Sequence, residues 1–466
     1  MNRRCVVVTI GLCACEGPFV PPTPPGPPPP AVAAVQVTPD SATIIAGDTL
    51  RLAVTLRDSN GLPLTGPPVA WASSDSVVAR VSQSGVVVTF APGAARISAS
   101  VEGRADTVPV VIAPVRFTAV ALGAVHSCAP ANNGHIYCWG DNTAGQIGTG
   151  TGTLIETAPR PAATGARFAR ASAGALHTCA LTNDGTAYCW GRNTENELGR
   201  GTMPGNATVP APVLTTIRFD SITAGGSHSC ALHDGTAYCW GLNAAGQIGD
   251  GTNTPRTVPV PVLADAGLAA VTAAVNHTCA LTLSGAAACW GQNQFGQLGD
   301  NTRTDRNTPT AVVGGRTFAQ ISAGGGHTCA VTVAGAAWCW GANSRHELGA
   351  GLDDSAVTAP APVSGGLTFR LITAGGAHSC GLTTDSLAYC WGKNEAGQLG
   401  DSSTTERAAP VAVHGGMRFQ GLSAGASHTC GITAGLVVYC WGDETRGQLG
   451  RGFPTSSTIP VRVAGQ

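Results

Sequence analysis

Residues 177–191 read His177-Thr178-Cys179-Ala180-Leu181-Thr182-Asn183-Asp184-Gly185-Thr186-Ala187-Tyr188-Cys189-Trp190-Gly191. Asp184 is the midpoint of the two cysteines, so Asn183-Asp184-Gly185 reads as a three-residue hairpin loop with glycine where a positive φ is wanted. Cys179 and Cys189 then face each other across two antiparallel strands. Opposed positions of the closer kind lie about 4.5 to 5.5 Å apart, within the span of a disulfide.

The same unit recurs along the chain. Cysteines pair at Cys128/Cys138, Cys179/Cys189, Cys230/Cys239, Cys279/Cys289, Cys329/Cys339, Cys380/Cys390 and Cys430/Cys440, with first members 49 to 51 residues apart. Between Cys230 and Cys239 the spacing drops by one, and the midpoint becomes Asp234-Gly235, a two-residue turn signal. Ser386 replaces the turn glycine in the sixth unit and Gly435 sits one place early in the seventh, so different turn types are expected there. After each hairpin comes an element such as Gly145-Gln146-Ile147-Gly148 or Gly397-Gln398-Leu399-Gly400, altered to Asn196-Glu197-Leu198-Gly199 and His346-Glu347-Leu348-Gly349 in two copies. A Pro-rich segment such as Pro259-Val260-Pro261-Val262 closes the unit, and proline confines that strand to an edge or a strand start.

This set closely resembles the repeat of the regulator of chromosome condensation family. The resemblance implies an all-β fold, a seven-bladed β-propeller over residues 116–466. Physically, one such unit cannot bury both its faces, and radial packing of seven hides each against a neighbour. The fourteen paired cysteines are expected to form seven disulfides inside the blades, which places the chain in an oxidising compartment.

Upstream, residues 34–113 show period-two alternation, clearest in Leu50-Arg51-Leu52-Ala53-Val54-Thr55-Leu56-Arg57, which reads as one half-buried strand. Trp71-Ala72-Ser73-Ser74-Asp75, Val78-Ala79-Arg80-Val81 and Gly85-Val86-Val87 resemble the bacterial immunoglobulin-like group 2 domain, and imply a β-sandwich with Trp71 in its core. Residues 16–33 are a proline-rich linker that excludes helix and ladder. Residues 1–15 combine Arg3-Arg4, the apolar run Val6 to Leu12, and Leu12-Cys13-Ala14-Cys15, which resembles a lipoprotein signal with Cys15 as the lipidated residue.

Charge bears on partners. The net charge is −1 and Lys393 is the sole lysine, so no basic stripe exists to bind nucleic acid. Membrane attachment is expected only through the N-terminal lipid. The repeated His-x-Cys (His126, His177, His228, His277, His327, His378 and His428) admits a metal half-site, but no fourth ligand recurs. Histidines satisfying backbone groups between blades are the expected reading, with no metal and no cofactor. The tryptophan following each second cysteine is assigned to core or inter-blade packing, and Asp250, Asp300 and Asp401 to solvated turns.

No carboxylate pair or nucleophile beside a base breaks the sevenfold pattern, so the chain is expected not to be an enzyme. The framework repeats while the stretches between the Gly-Gln-[Ile/Leu]-Gly element and the Pro-Val strand do not, which points to an exported binding protein of the cell envelope, with a protein or glycan partner held on variable loops, Phe295 and Phe453 among them. An inhibitor of a secreted enzyme is the alternative, since a bacterial β-lactamase inhibitory protein resembles this class, and a polysaccharide-active enzyme is a further one. The family namesake's guanine-nucleotide exchange activity transfers only as a fold-level association.

Overall fold

The computed structural model describes residues 30–264 and 267–466. The signal segment, Cys15 and most of the proline-rich stretch lie outside the described residues. The chain divides into two compact units, the main change falling between Val111 and Ile112. Both are all-β, with no helix among the described residues.

In the first unit, Ala34–Thr38, Ala53–Arg57 and Pro63–Leu64 form one sheet, and Ala42–Ile45, Arg104–Ala113, Gly93–Val101 and Ala70–Ser73 another. Alternation in the long strands buries Ile97 and Ala99, and Val108, Val110 and Ile112. Trp71 is in the core, its ring against the backbone of Gly85. The alternating run at Leu50 is not one strand. Thr49–Arg51 pairs with Val86–Thr89, whereas Ala53–Arg57 pairs with Ala34–Thr38. Leu52 is the corner: its N–H donates to the Gly85 carbonyl at 2.9 Å, which takes it out of the second ladder.

The second unit contains seven four-stranded antiparallel sheets in chain order, from Ala121–Leu122 to Ser457–Arg462. In the second of them Phe168–Ala173 lies innermost, followed by His177–Thr182, Ala187–Gly191 and the outer strand Ala207–Pro212. The two middle strands are buried almost without interruption because both sheet faces meet neighbouring sheets. The outer strand, half exposed, carries the prolines where a missing N–H costs no ladder bond.

Register sets each cysteine directly opposite its partner. Cys128 faces Cys138, Cys179 faces Cys189, Cys230 faces Cys239 and Cys279 faces Cys289. In the last three sheets Cys329 faces Cys339, Cys380 faces Cys390 and Cys430 faces Cys440. All seven pairs are bonded. Their Cα atoms are 4.0 to 4.1 Å apart, as befits residues directly opposed in the closer kind of strand pair.

Turn chemistry differs from expectation at two hairpins. Ser386 (φ 72°) and Leu436 (φ 60°) occupy the left-handed position that Gly185 (φ 80°) holds, and their N–H groups make the same bonds back to Thr383 and Thr433 that Gly185 makes to Thr182. The turn type is therefore kept and the side chain is strained, because the flanking register is already set by the cysteine pair.

Candidate functional site

Each His-x-Cys strand feeds a bond that crosses to the next blade. His126, His177, His228, His277, His327 and His378 place Nε2 2.8 to 2.9 Å from the hydroxyls of Thr178, Ser229, Thr278, Thr328, Ser379 and Thr429. His428 reaches Ser127 of the first blade at 3.0 Å, which closes the ring. The histidine partner is thus a side-chain hydroxyl, not the backbone groups expected. The residue between His and Cys is Ser or Thr in all seven copies, a signal that stood in the sequence.

The cysteines of these strands play a structural part only. Cys128, Cys179, Cys230, Cys279, Cys329, Cys380 and Cys430 are fully buried, and so are Cys138, Cys189, Cys239, Cys289, Cys339, Cys390 and Cys440 across from them. With each sulfur bonded to its opposite number, no thiolate remains to complete a metal half-site with the histidine.

The network fixes the tautomer. Every one of these hydroxyls donates its single proton to the carbonyl of a Gln or Glu in the preceding blade, as Thr178 does to Gln146 at 2.9 Å and Ser127 to Gln448 at 2.8 Å. Nε2–H must therefore be the donor to the hydroxyl oxygen. Nδ1 is left bare and has no partner in any of the seven. Burial pushes His126, His228 and His327 down to about 4 and His177, His277, His378 and His428 to about 3. A protonated ring would bury a charge with one N–H unsatisfied. There is no room for relief beside it: a Cβ on Gly174 would stand 2.8 Å from Nδ1 of His177.

Six of the tryptophans read the same carbonyls, whereas the buried Nε1–H of Trp441 has no partner. Trp190 donates to Gln146 at 2.8 Å and Trp139 to Gln448 at 2.9 Å, and all seven indoles are fully buried. Gly148 and its equivalents lie flat on the next blade's indole, where a Cβ would fall 2.7 Å from Nε1 of Trp190. The apolar-Gly end of the G-Q-[IL]-G element is thus the inter-blade contact. Its Gln side chain braces the loop, accepting the N–H of Ala144 at 2.9 Å in the first blade. Where Glu197 stands instead, Arg192 pairs with it at 2.7 Å. Glu347, without such a cation on it, has its carboxyl raised by burial.

Asp250, Asp300 and Asp401 are not solvated turn residues. Their side chains are 7, 3 and 2% exposed, and Arg306 and Arg407 hold the last two at 2.9 and 2.7 Å, as Arg256 holds Asp250. Asn243, Asn293 and Asn394 donate to the same carboxylates. The spacing Asp-x-[Ser/Thr]-x-x-x-Arg repeats in these three blades and carried the signal. The pairs brace the loop root and leave the loop tips to differ.

Those tips, between the third and fourth strands of each blade, are the exposed and variable part of the structure. They carry Leu154, Met203, Phe295 and Phe453, each 45 to 64% exposed. Arg451 caps the Phe453 ring at 4.4 Å. Neighbouring loops are tied to each other, with Arg345 on Glu395 at 3.0 Å and on Glu406 at 2.6 Å. On the propeller axis a cavity of about 110 Å³ is lined by the Ala-Gly stretches of all seven inner strands. Among the described residues no group of three or more His, Cys, Asp or Glu side chains converges as a metal site.

A ring of seven sheets, locked by identical polar bonds and presenting unlike loops, defines a β-propeller scaffold. The chain belongs to the RCC1-like domain family, whose description matches residues 154–465. The regulator of chromosome condensation (RCC1) repeat matches residues 117–146 and the bacterial Ig-like domain (group 2) residues 31–112. Among curated proteins, the mitochondrial RCC1 domain-containing protein RUG3 of Arabidopsis thaliana is 33% identical over 125 residues, 25% of this chain and 28% of that protein. The probable E3 ubiquitin-protein ligase HERC6 of Homo sapiens is 32% identical over 117 residues, 24% of this chain and 11% of that protein. The matched stretch is thus a small part of either relative. Among solved structures, human WBSCR16 superposes with a TM-score of 0.65 at 21% identity, covering 71% of this chain and 94% of that one. Yeast RCC1 (Prp20), solved with Kap60, gives 0.64 at 21% identity, covering 75% and 85%. These likenesses establish the fold.

Proposed function

We propose that this chain is an exported binding protein, lipid-anchored through Cys15, that presents the loop face of its propeller to a protein or glycan at the cell envelope. The observation that carries the reading is the division of labour inside each blade. Repeated polar groups are consumed by inter-blade bonds, as His177 with Ser229 and Trp190 with the Gln146 carbonyl, whereas the loops differ from blade to blade and expose Phe295 and Phe453. A rigid frame with variable loops is the architecture of a recognition surface. Seven bonded cysteine pairs and an Ig-like domain support an oxidising, extracytoplasmic setting.

A protein partner has support from a relative: Prp20p of Saccharomyces cerevisiae was described with its binding properties to Gsp1p and histones. The ligase names of the HERC relatives belong to proteins of which only about a tenth is matched here. The test is capture of envelope proteins and glycans on the full exported chain, repeated with Phe295→Ser and Phe453→Ser. A specific ligand lost with either substitution, while thermal stability holds, supports the reading. A ligand retained by both variants, or turned over chemically, removes it. Independently, Cys15→Ser should release the chain from the membrane fraction.

A further inference from the structure

The seventh blade departs from the other six at one buried position. Asn142, Asn193, Asn243, Asn293, Asn343 and Asn394 each do two things. The side-chain carbonyl accepts the N–H of the following Ile or Leu at 2.9 to 3.2 Å. The amide nitrogen donates to loop carbonyls 9 to 11 residues downstream, as from Asn343 to Leu352 at 3.1 Å and to Asp354 at 2.8 Å. One side chain thus pins both ends of the loop.

In the seventh blade this residue is Glu444, which is fully buried. Its Oε2 accepts the Leu449 N–H, reproducing the asparagine carbonyl. Its Oε1 has no hydrogen-bond partner of good geometry, although the Arg451 backbone N–H also faces the carboxyl. A carboxylate has no proton to give the loop carbonyls, which by register are those of Phe453 and Thr455. A carboxylic acid has one. The charged groups facing it are Arg451, whose Nη1 is engaged with the Thr455 carbonyl at 3.0 Å, and Asp443, which accepts from Gln448 at 2.9 Å. Ser456, neutral, accepts the Glu444 N–H at 3.1 Å.

We propose that Glu444 is a proton-operated latch: as the acid it holds the 451–456 loop as asparagine does in the other blades, and as the carboxylate it releases it. Burial pushes this carboxyl up to about 7. A folded value above the ordinary one means that the latch contributes fully at acid pH and is lost as pH rises through about 7. The loop carries Phe453, and Gly452 beside it bonds the Thr157 carbonyl of the first blade at 2.7 Å, so release loosens the join between the last blade and the first. The latch does not depend on what the propeller binds.

Amide hydrogen exchange of residues 449–457 in the full chain tests this, with Glu444→Gln measured at each pH so that intrinsic exchange cancels. At pH 8 the native segment should exchange roughly ten-fold faster than in Glu444→Gln, and at pH 5.5 the two should match. Glu444→Asn, the residue of the other six blades, serves as a second comparator should the glutamine variant fold poorly. An equal ratio at both pH values overturns the proposal. So does protection of the native segment at pH 8 by added calcium, which would assign the bare oxygen to a cation instead of a proton.

Discussion

Nε2 of His428 lies 3.0 Å from Oγ of Ser127, across 301 residues of sequence, and joins the last blade to the first. The strands themselves do not close this ring: each sheet is built from consecutive strands, so no strand of the first blade completes the seventh. Closure is made by side-chain and loop bonds, among them Ser127 and Trp139 on the Gln448 carbonyl and the Gly452 N–H on the Thr157 carbonyl.

Ser127→Ala should therefore destabilise the propeller by about 1–3 kcal/mol, because it leaves the buried Nε2–H of His428 unsatisfied. Ser127→Thr should be nearly neutral, since four blades already carry threonine there. Urea unfolding of both variants measures this; equal midpoints for alanine and native protein would discard the ring as a source of stability.

Acid should unfold this protein steeply. The seven ring histidines have folded values near 3 to 4, below the ordinary 6.5, so they are neutral when folded and take up protons on unfolding. Their stabilisation is complete above about 6.5 and is lost as pH falls toward 4, at about 1.4 kcal/mol per pH unit for each histidine that titrates only in the unfolded chain. The melting temperature should fall markedly from pH 7 to pH 5. A flat profile over that range would refute the neutral, Nε2-protonated assignment.

Each cysteine pair closes a short loop, which in the chain-entropy picture contributes up to about 3 kcal/mol. The protein, kept without reductant, should resist alkylation at all fourteen propeller cysteines. Replacing Cys179 and Cys189 together by serine should lower the denaturant midpoint, and free thiols in the native protein would contradict the bonded pairs.

Leu436 and Ser386 sit at positive φ where other blades use glycine. Leu436→Gly should stabilise by about 1 kcal/mol, the relief of a left-handed side chain outweighing the extra freedom of glycine when unfolded. Gly185→Leu should cost a similar amount or more, because a Cβ there would lie 2.8 Å from the Phe219 carbonyl. Thermal melts of the two reciprocal variants check the sign.

The sequence by itself determined the repeat, the hairpins and the partner of every propeller cysteine, because these are local: ten residues and a turn signal bring Cys179 and Cys189 together. It determined the family for the same reason, since the unit recurs seven times. Other features belong to the tertiary structure. That Leu52 turns from one sheet to another follows from its bond to Gly85, 33 residues away, which no alternation encodes. The acidity of Asp300 is spent on Arg306 inside a closed loop root, where turn composition alone reads as solvated. Most of all, His177 meets Ser229 because radial packing sets one blade's second strand against the next, a contact about fifty residues distant in the chain. Periodicity shows that a histidine recurs, but only the closed ring supplies the hydroxyl that makes it neutral and buried.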